Sequence, residues 1–197
     1  MSSVIRVDPQ SIRSYAGAAQ GHFDGMHTEL KRLVAAVAEV NYHGQNAFEF
    51  KSAISDLAVD FANKFTKDMG AIADHIRVVT SNIVGSLGGQ PVAISVEGKP
   101  ISRPTIEKVD YVQVDTAALD GLTPVVKGHF QSLTDYLDQH FKALENTDWQ
   151  GNAKQQVVAT IRDYTQKMRA NAEECNAQIG QAIKNQVTSA LEADRSQ

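Results

Sequence analysis

The sequence predicts an all-α protein made of two helix-turn-helix hairpins that pack as an antiparallel four-helix bundle. Three observations predict this fold class. Apolar residues recur at steps of three and four, the pattern occurs twice along the chain, and a segment containing glycine and proline separates the copies. We interpret residues 1–87 and 114–197 as the two hairpins and residues 88–113 as their connector.

The repeat has one register. A shift of 107 residues aligns the second copy with the first without a gap, and this holds from Val7 to Ile76 of the first copy. The segments that meet include Val7-Asp8 with Val114-Asp115, Gly21-His22-Phe23 with Gly128-His129-Phe130, and Tyr42-His43-Gly44 with Trp149-Gln150-Gly151. Both hairpins are therefore versions of one structural unit.

The first hairpin begins at Asp8, whose carboxylate can accept hydrogen bonds from the free amides of a first helical turn. Pro9 suits the first helical position because that amide has no partner within the helix. The apolar positions of the two helices, on either side of Tyr42-His43-Gly44, are Ile12, Ala16, Ala19, Phe23, Met26, Leu30, Leu33, Val37 and Val40, then Phe50, Ile54, Leu57, Phe61, Phe65, Met69, Ile72, Ile76, Val79, Ile83 and Leu87. A lone amphipathic hairpin leaves these faces uncovered, which favours packing against a second hairpin.

The connector interrupts the helical pattern. Its glycines and prolines, which a helix interior excludes, are Gly88, Gly89, Pro91, Gly98, Pro100 and Pro104. Between them, Val92, Ile94 and Val96 alternate with smaller or polar residues and precede Glu97-Gly98-Lys99-Pro100. This alternation predicts a short β-strand followed by a turn, and it leaves open whether the whole connector is ordered.

The second hairpin begins at Asp115, which repeats the cap, and its turn carries Trp149. Its apolar positions are Leu119, Val126, Phe130, Leu133, Leu137 and Leu144, then Val157, Ile161, Tyr164, Met168, Ile179, Ile183 and Leu191. Polar residues interrupt this pattern: His140, Thr147 and Gln186 stand where the first hairpin has Leu33, Val40 and Val79. Its core is expected to be less uniformly apolar.

Composition narrows the possible functions. The 19 basic and 23 acidic residues give a net charge of −4, which lacks the basic footprint of a nucleic-acid-binding protein. The first thirty residues show no basic region followed by an apolar run, so we expect no cleavable signal peptide. No apolar stretch reaches the roughly 18 residues that indicate a membrane span.

Residues that could support catalysis do not form a constellation. His22 and His129 repeat, but each flanks a core phenylalanine and no set of metal ligands accompanies them. The single cysteine, Cys175, falls on a buried helical stripe, where cysteine acts as a small hydrophobic residue. We therefore expect no catalytic residues, no metal and no cofactor.

The turn motif carries a resemblance to a known family. A helical hairpin of this length with Trp-x-Gly at its turn resembles the WXG family of Esx-type proteins, which type VII secretion systems export. Trp149-Gln150-Gly151 matches the motif, and Tyr42-His43-Gly44 keeps the aromatic residue and the glycine. Members of that family pair as antiparallel hairpins, often from two separate chains, so this chain resembles such a pair fused into one.

The resemblance implies a function and a location. It implies a secreted or cell-surface protein, cytoplasmic before export, that binds other proteins or forms a structural bundle. The type VII secretion machinery is the implied partner, together with another Esx-like or toxin protein or a second copy of the chain. The implied export and recognition motif consists of Tyr42, Gly44, Trp149 and Gly151.

The family also uses a Tyr-x-x-x-Asp/Glu export signal, and one segment of this chain matches it. Tyr111-Val112-Gln113-Val114-Asp115 has the required spacing, although Asp115 is also the predicted cap of the third helix. The segment can therefore be read as a signal or simply as a helix start. Two further functions remain open for the chain: an intracellular chaperone or adaptor for a secreted partner, and a membrane-permeabilising factor whose helices open onto lipid.

Overall fold

The protein has four long helices and four very short strands in the computed structural model, which describes residues 6–96 and 99–195. In chain order the elements are β1 (Arg6–Val7), α1 (Pro9–Glu39), β2 (Tyr42–His43), α2 (Gln45–Ser86), β3 (Gln113–Val114), α3 (Thr116–Glu145), β4 (Trp149–Gln150) and α4 (Asn152–Arg195). The predicted all-α class with two helical hairpins is confirmed.

Both predicted aspartate caps are present. The Gln10 amide donates to Asp8 Oδ1 at 2.9 Å, and the Ala118 amide donates to Asp115 Oδ1 at 2.9 Å. Each carboxylate satisfies an amide that the first helical turn leaves unpaired. The helix starts at α1 and α3 are thus encoded locally, as the sequence predicts.

The strands join each hairpin turn to the segment before the other hairpin. β1 pairs antiparallel with β4, with Val7 opposite Trp149, and β2 pairs antiparallel with β3, with Tyr42 opposite Val114. These two pairings are related by the same offset of 107 residues that relates the sequences. The repeat therefore extends from sequence to strand register.

The chain folds into two compact units, and each takes part of both hairpins. Unit 1 comprises the described residues of Met1–His27, Phe65–Lys99 and Thr134–Arg169. Unit 2 comprises those of Thr28–Lys64, Pro100–Leu133 and Ala170–Gln197. Each unit thus contains a segment of all four helices.

Each unit buries the apolar positions of its own helix segments. In unit 1 the buried residues include Ile12, Phe23, Met26, Phe65, Met69, Ile72, Ile76, Leu137, Leu144, Ile161 and Met168. In unit 2 they include Leu30, Leu33, Val37, Ile54, Leu119, Phe130, Leu133, Ile179 and Ile183. Leu87 and Leu191 depart from the prediction: they are 61% and 41% exposed, since α2 ends at Ser86 and Leu191 lies in the last turns of α4.

The strand predicted at Val92 to Val96 is wrong, because residues 91–96 have no strand partner and run as irregular backbone. Val92 and Ile94 are buried at 3% and 5% exposure, so their alternation reflects packing of every second side chain. Helix side chains satisfy the backbone instead: the Val92 amide donates to Ser81 Oγ and the Ser95 amide to Gln20 Oε1. The predicted turn includes Glu97 and Gly98, which lie outside the described residues.

In unit 2 the connector is held by Asn63 of α2. Its Oδ1 accepts from the Ile101 amide at 2.8 Å, and its Nδ2 donates to the Ile101 carbonyl at 3.2 Å. One amide side chain therefore pairs both backbone groups of a residue that is only 8% exposed.

We expect Asn63→Ala to lower the free energy of unfolding by about 1–3 kcal/mol, because it leaves two partly buried backbone groups unpaired. Amide hydrogen exchange at Ile101, with denaturant unfolding, measures this, and Asn82→Ala, an exposed asparagine of the same helix, is the control. Unchanged exchange at Ile101 would mean that burial of its side chain, not these bonds, holds the connector.

Candidate functional site

The two hairpin turns have the same local construction. Gly44 and Gly151 adopt φ angles of 114° and 124°, a region that L side chains rarely enter, and each immediately precedes a helix. Their carbonyls accept from Phe48 and Gln155, at 2.9 and 3.3 Å, and so begin α2 and α4. The glycine of the motif is thus required by the turn itself.

In unit 1 the Trp149 turn is closed by the start of α1. Trp149 is only 2% exposed. The preceding Asp148 donates its amide to Ser11 Oγ at 2.8 Å, accepts from the Asp8 amide at 3.0 Å, and pairs with Arg6 at 3.2 Å. A partner protein could therefore reach little of the Trp149 indole in this conformation.

In unit 2 the equivalent aromatic is Tyr42, which is 4% exposed and packs against Phe50 at a ring-centroid distance of 6.0 Å. Gln186 Nε2 of α4 donates to the Tyr42 hydroxyl at 2.5 Å. The corresponding positions of the repeat are Trp149 and Val79. The sequence thus has glutamine at position 186, which can bond to the Tyr42 hydroxyl, and apolar Val79 at the position that corresponds to it for Trp149.

An exposed aromatic and apolar surface lies on the Tyr42 turn. Tyr111 is 54% exposed and tilts against the His43 ring at 5.3 Å, while Val112 is 79% exposed. Val112 also covers Gly44, since a β-carbon there would lie 3.2 Å from Val112 Cγ2. We call His43, Gly44, Tyr111 and Val112 the turn surface of unit 2.

Beside the turn surface lies a cavity of about 290 Å³. It is bounded by the turn, by β3 and by the end of α4, and the residues lining it include Tyr42, His43, Val112, Val114, Gln186, Ser189, Ala190 and Ala193. Small side chains of α4 make this space. The arrangement is suited to holding an apolar side chain of another molecule.

The structure brings four of the sequence-predicted site residues into unit 2 and two into unit 1. Tyr42, Gly44, Tyr111 and Asp115 belong to the first group, while Trp149 and Gly151 belong to the second. Asp115 is engaged as the helix cap, whereas the Tyr111 side chain is largely exposed. Of the two defining residues of the Tyr111-to-Asp115 motif, Tyr111 therefore presents an exposed ring, whereas the carboxylate of Asp115 has a structural role.

Two further histidines, His22 and His129, lie next to polar or aromatic side chains. His129 Nδ1 lies 2.8 Å from Glu29 Oε2, and His22 packs near Tyr136, with burial lowering the pKa of His22. Burial and the charge of Glu174 raise the pKa of Cys175 to about 12, so its thiol is protonated at neutral pH. Within residues 6–96 and 99–195, no group of three or more His, Cys, Asp or Glu residues could hold a metal ion.

Several residues of the surface could not be assigned to it from the sequence. In the sequence, Gln186 is only a polar residue within an apolar pattern. No sequence pattern predicts that Val112, Ala190 and Ala193 line a cavity. His43 was noticed as part of the turn, but its contact with Tyr111 joins residues far apart in the chain. Such contacts require the tertiary fold.

The structure is an all-α protein of helical hairpins with an exposed aromatic and apolar surface at one turn. Comparison of the chain with protein-family models, with curated proteins and with solved structures gives no match. None of the helices in the described part combines the length and the apolar run needed to cross a bilayer.

Proposed function

We propose that this chain is a non-enzymatic type VII secretion substrate, a fused pair of Esx-type hairpins that acts as a secreted protein-binding bundle. The observation that carries the proposal is the reciprocal pairing of β1 with β4 and of β2 with β3. Each turn is paired with the segment that precedes the other hairpin. A single chain thereby supplies both halves of an antiparallel pair.

Within this proposal, the secretion machinery binds the turn surface of unit 2. Tyr111 and Val112 are exposed, whereas the aromatic residues of the two turns, Tyr42 and Trp149, are buried. Exposed tyrosine next to an apolar cavity is typical of positions that dominate protein interfaces. The Asp115 carboxylate contributes indirectly, because it fixes the start of α3 four residues after Tyr111.

Export of variants from a host with a type VII secretion system tests the proposal. Wild-type protein should reach the culture supernatant only when the secretion ATPase is intact. Tyr111→Ala should reduce recognition about tenfold, the effect of losing roughly 1.4 kcal/mol at an interface tyrosine. Val125→Ala is the matched control, since Val125 is an apolar residue of unit 2 that is 47% exposed. Immunoblots of supernatant and cell fractions give the readout.

A second part of the experiment tests whether the secretion machinery binds the Asp115 carboxylate. Asp115→Asn keeps a good helix cap, so export of this variant should equal that of the wild type if the carboxylate is not read directly. Equal export of Tyr111→Ala and Val125→Ala would exclude the turn surface as the recognition site. Retention of the wild-type protein in cells with an intact ATPase would instead favour the intracellular chaperone or adaptor.

A further inference from the structure

Two buried hydrogen bonds join side chains of the first hairpin to side chains of the second. In unit 1 the Tyr15 hydroxyl lies 2.7 Å from His140 Nε2, and these residues are 4% and 0% exposed. In unit 2, Gln186 Nε2 donates to the hydroxyl of Tyr42, which is 4% exposed. Each bond therefore has one partner in the first hairpin and one in the second.

A second copy of the chain offers each hairpin a competing partner, namely an identical hairpin. We call such a pair homotypic and the pair seen within this chain mixed. The strand pairs β1–β4 and β2–β3 are equivalent under the offset of 107 residues, so the same register is defined for two identical hairpins. In that register each residue would face the equivalent of its present neighbour.

Two copies of the first hairpin would lose both hydrogen bonds. Tyr15 would face Leu33, which is the equivalent of its present partner. Tyr42 would likewise face Val79. Because neither apolar side chain can donate or accept a hydrogen bond, two buried hydroxyl groups would be left unpaired in each copy.

Two copies of the second hairpin would lose the bond of His140. This residue would face Leu122, and its Nδ1 already lacks a partner among the described residues, so both ring nitrogens would be unpaired. Gln186 would face Trp149, whose N–H can donate to it. The position of Gln186 therefore penalises only pairs of the first hairpin, whereas the position of His140 penalises both kinds of homotypic pair.

We propose that these two hydrogen-bonded pairs make each hairpin select the other and reject a second copy of itself. Two mixed pairs contain the same side chains as one homotypic pair of each kind, so the apolar residues available for burial are the same. The arrangements differ in the number of buried polar groups left without a partner, and this number disfavours the homotypic pairs. The selection goes beyond the proposed function and does not depend on export.

A third polar pair crosses between the hairpins without discriminating between partners. Glu29 Oε2 lies 2.8 Å from His129 Nδ1 in unit 2. The equivalent of His129 is His22, and the equivalent of Glu29 is Tyr136. Two mixed pairs therefore bring together the same combinations, Glu with His and Tyr with His, as one homotypic pair of each kind. Substitution of Glu29 should change stability but not the choice of partner.

The test uses the full chain with a protease site inserted between Lys99 and Pro100, which are both exposed. Cutting there separates the hairpins while every residue stays in the sample. The cut protein is unfolded in denaturant, refolded by dilution and brought to equilibrium, and native mass spectrometry measures the mixed and homotypic pairs. Pairing without preference gives about half mixed pairs. We expect about nine-tenths or more, which corresponds to a preference of about a hundredfold in the exchange equilibrium.

A fourfold variant gives both hairpins the same residues at these positions. Its substitutions, each to the residue of the equivalent position, are Tyr15→Leu, Tyr42→Trp, His140→Leu and Gln186→Val. This variant should give about half mixed pairs, and Tyr15→Leu with His140→Leu alone should give an intermediate proportion. Glu29→Gln, the matched control at a buried crossing pair, should keep the wild-type proportion. Thermal melts of the uncut variants verify that they fold.

The proposal is overturned if the wild-type hairpins form only about half mixed pairs, or if the twofold and fourfold variants keep the wild-type proportion. Cut hairpins that do not pair at all would also overturn it, because selection requires that the two faces bind each other without the connector. Equal loss of mixed pairs in Glu29→Gln would show that any buried polar change alters the choice, which contradicts the roles given to Tyr15 and Tyr42.

Discussion

Acidification from about pH 6.5 to about pH 4 is expected to remove about 3 kcal/mol of unfolding free energy through one residue, His140. His140 lies in unit 1, is fully buried, and has its Nε2 2.7 Å from the Tyr15 hydroxyl. Its Nδ1 has no hydrogen-bond partner among the described residues. A protonated ring would therefore place an unpaired N–H and a positive charge in the core.

The direction of this pH dependence follows from the pKa of His140 in the folded and in the unfolded chain. Burial, with a smaller contribution from the charge of His22, lowers the pKa of His140 from 6.5 to about 4 in the folded protein. Between these values the unfolded chain binds a proton that the folded chain does not. Stability is therefore fully retained above pH 6.5 and is lost as the pH falls towards 4.

The repeat itself provides the control. Leu122 and Leu33 occupy the positions of unit 2 that correspond to Tyr15 and His140, and both are buried. The double variant Tyr15→Phe with His140→Leu removes the polar pair without leaving a buried hydroxyl unpaired. Between pH 6.5 and pH 4, we expect the double variant to lose about 3 kcal/mol less unfolding free energy than the wild type.

Trp149 provides the measurement. It is the single tryptophan of the chain and lies in the same unit as His140, so its fluorescence in denaturant titrations at several pH values follows this unit. Parallel pH profiles for the wild type and the double variant would show that His140 does not control acid stability.

Trp149→Ala is expected to cost about 3–5 kcal/mol of stability, because it empties a large and almost fully buried site. Trp149→Phe should lose less, since most of the volume remains. Tyr42→Phe, at the corresponding turn of unit 2, should lose only about 1 kcal/mol, the contribution of its bond with Gln186. Far-UV circular dichroism in denaturant compares the three variants.

The comparison also separates packing from recognition at the Trp-x-Gly turn. If burial is the role of Trp149, then Trp149→Phe should remain folded and be exported as well as the wild type. A loss below about 1 kcal/mol for Trp149→Ala would contradict the packing role. A stable Trp149→Phe variant that is not exported would show that the indole is read in a conformation in which it is exposed.

The sequence shows that polar residues interrupt the apolar pattern of the second hairpin, but it does not show why they are there. Each has an identified hydrogen bond: His140 with Tyr15, Gln186 with Tyr42, and Thr147 Oγ1 with the Ala143 carbonyl at 3.1 Å. The first two bonds join residues more than a hundred positions apart. Helical periodicity carries no information about such partners, because it describes one face of one helix.

The sequence by itself determined the four helices, their two aspartate caps, the two glycine turns and the repeat that relates them. These features depend on local chemistry: apolar periodicity, a carboxylate next to free amides, and glycine at positive φ. Tertiary structure decided the path of the connector, which packs as irregular backbone where alternation predicted a strand. It also decided the contact of Tyr111 with His43 and the pairing of Asn63 with the backbone of Ile101. A strand needs a neighbouring strand, and a buried backbone amide needs a hydrogen-bond partner. Parts of the chain that are remote in sequence supply both.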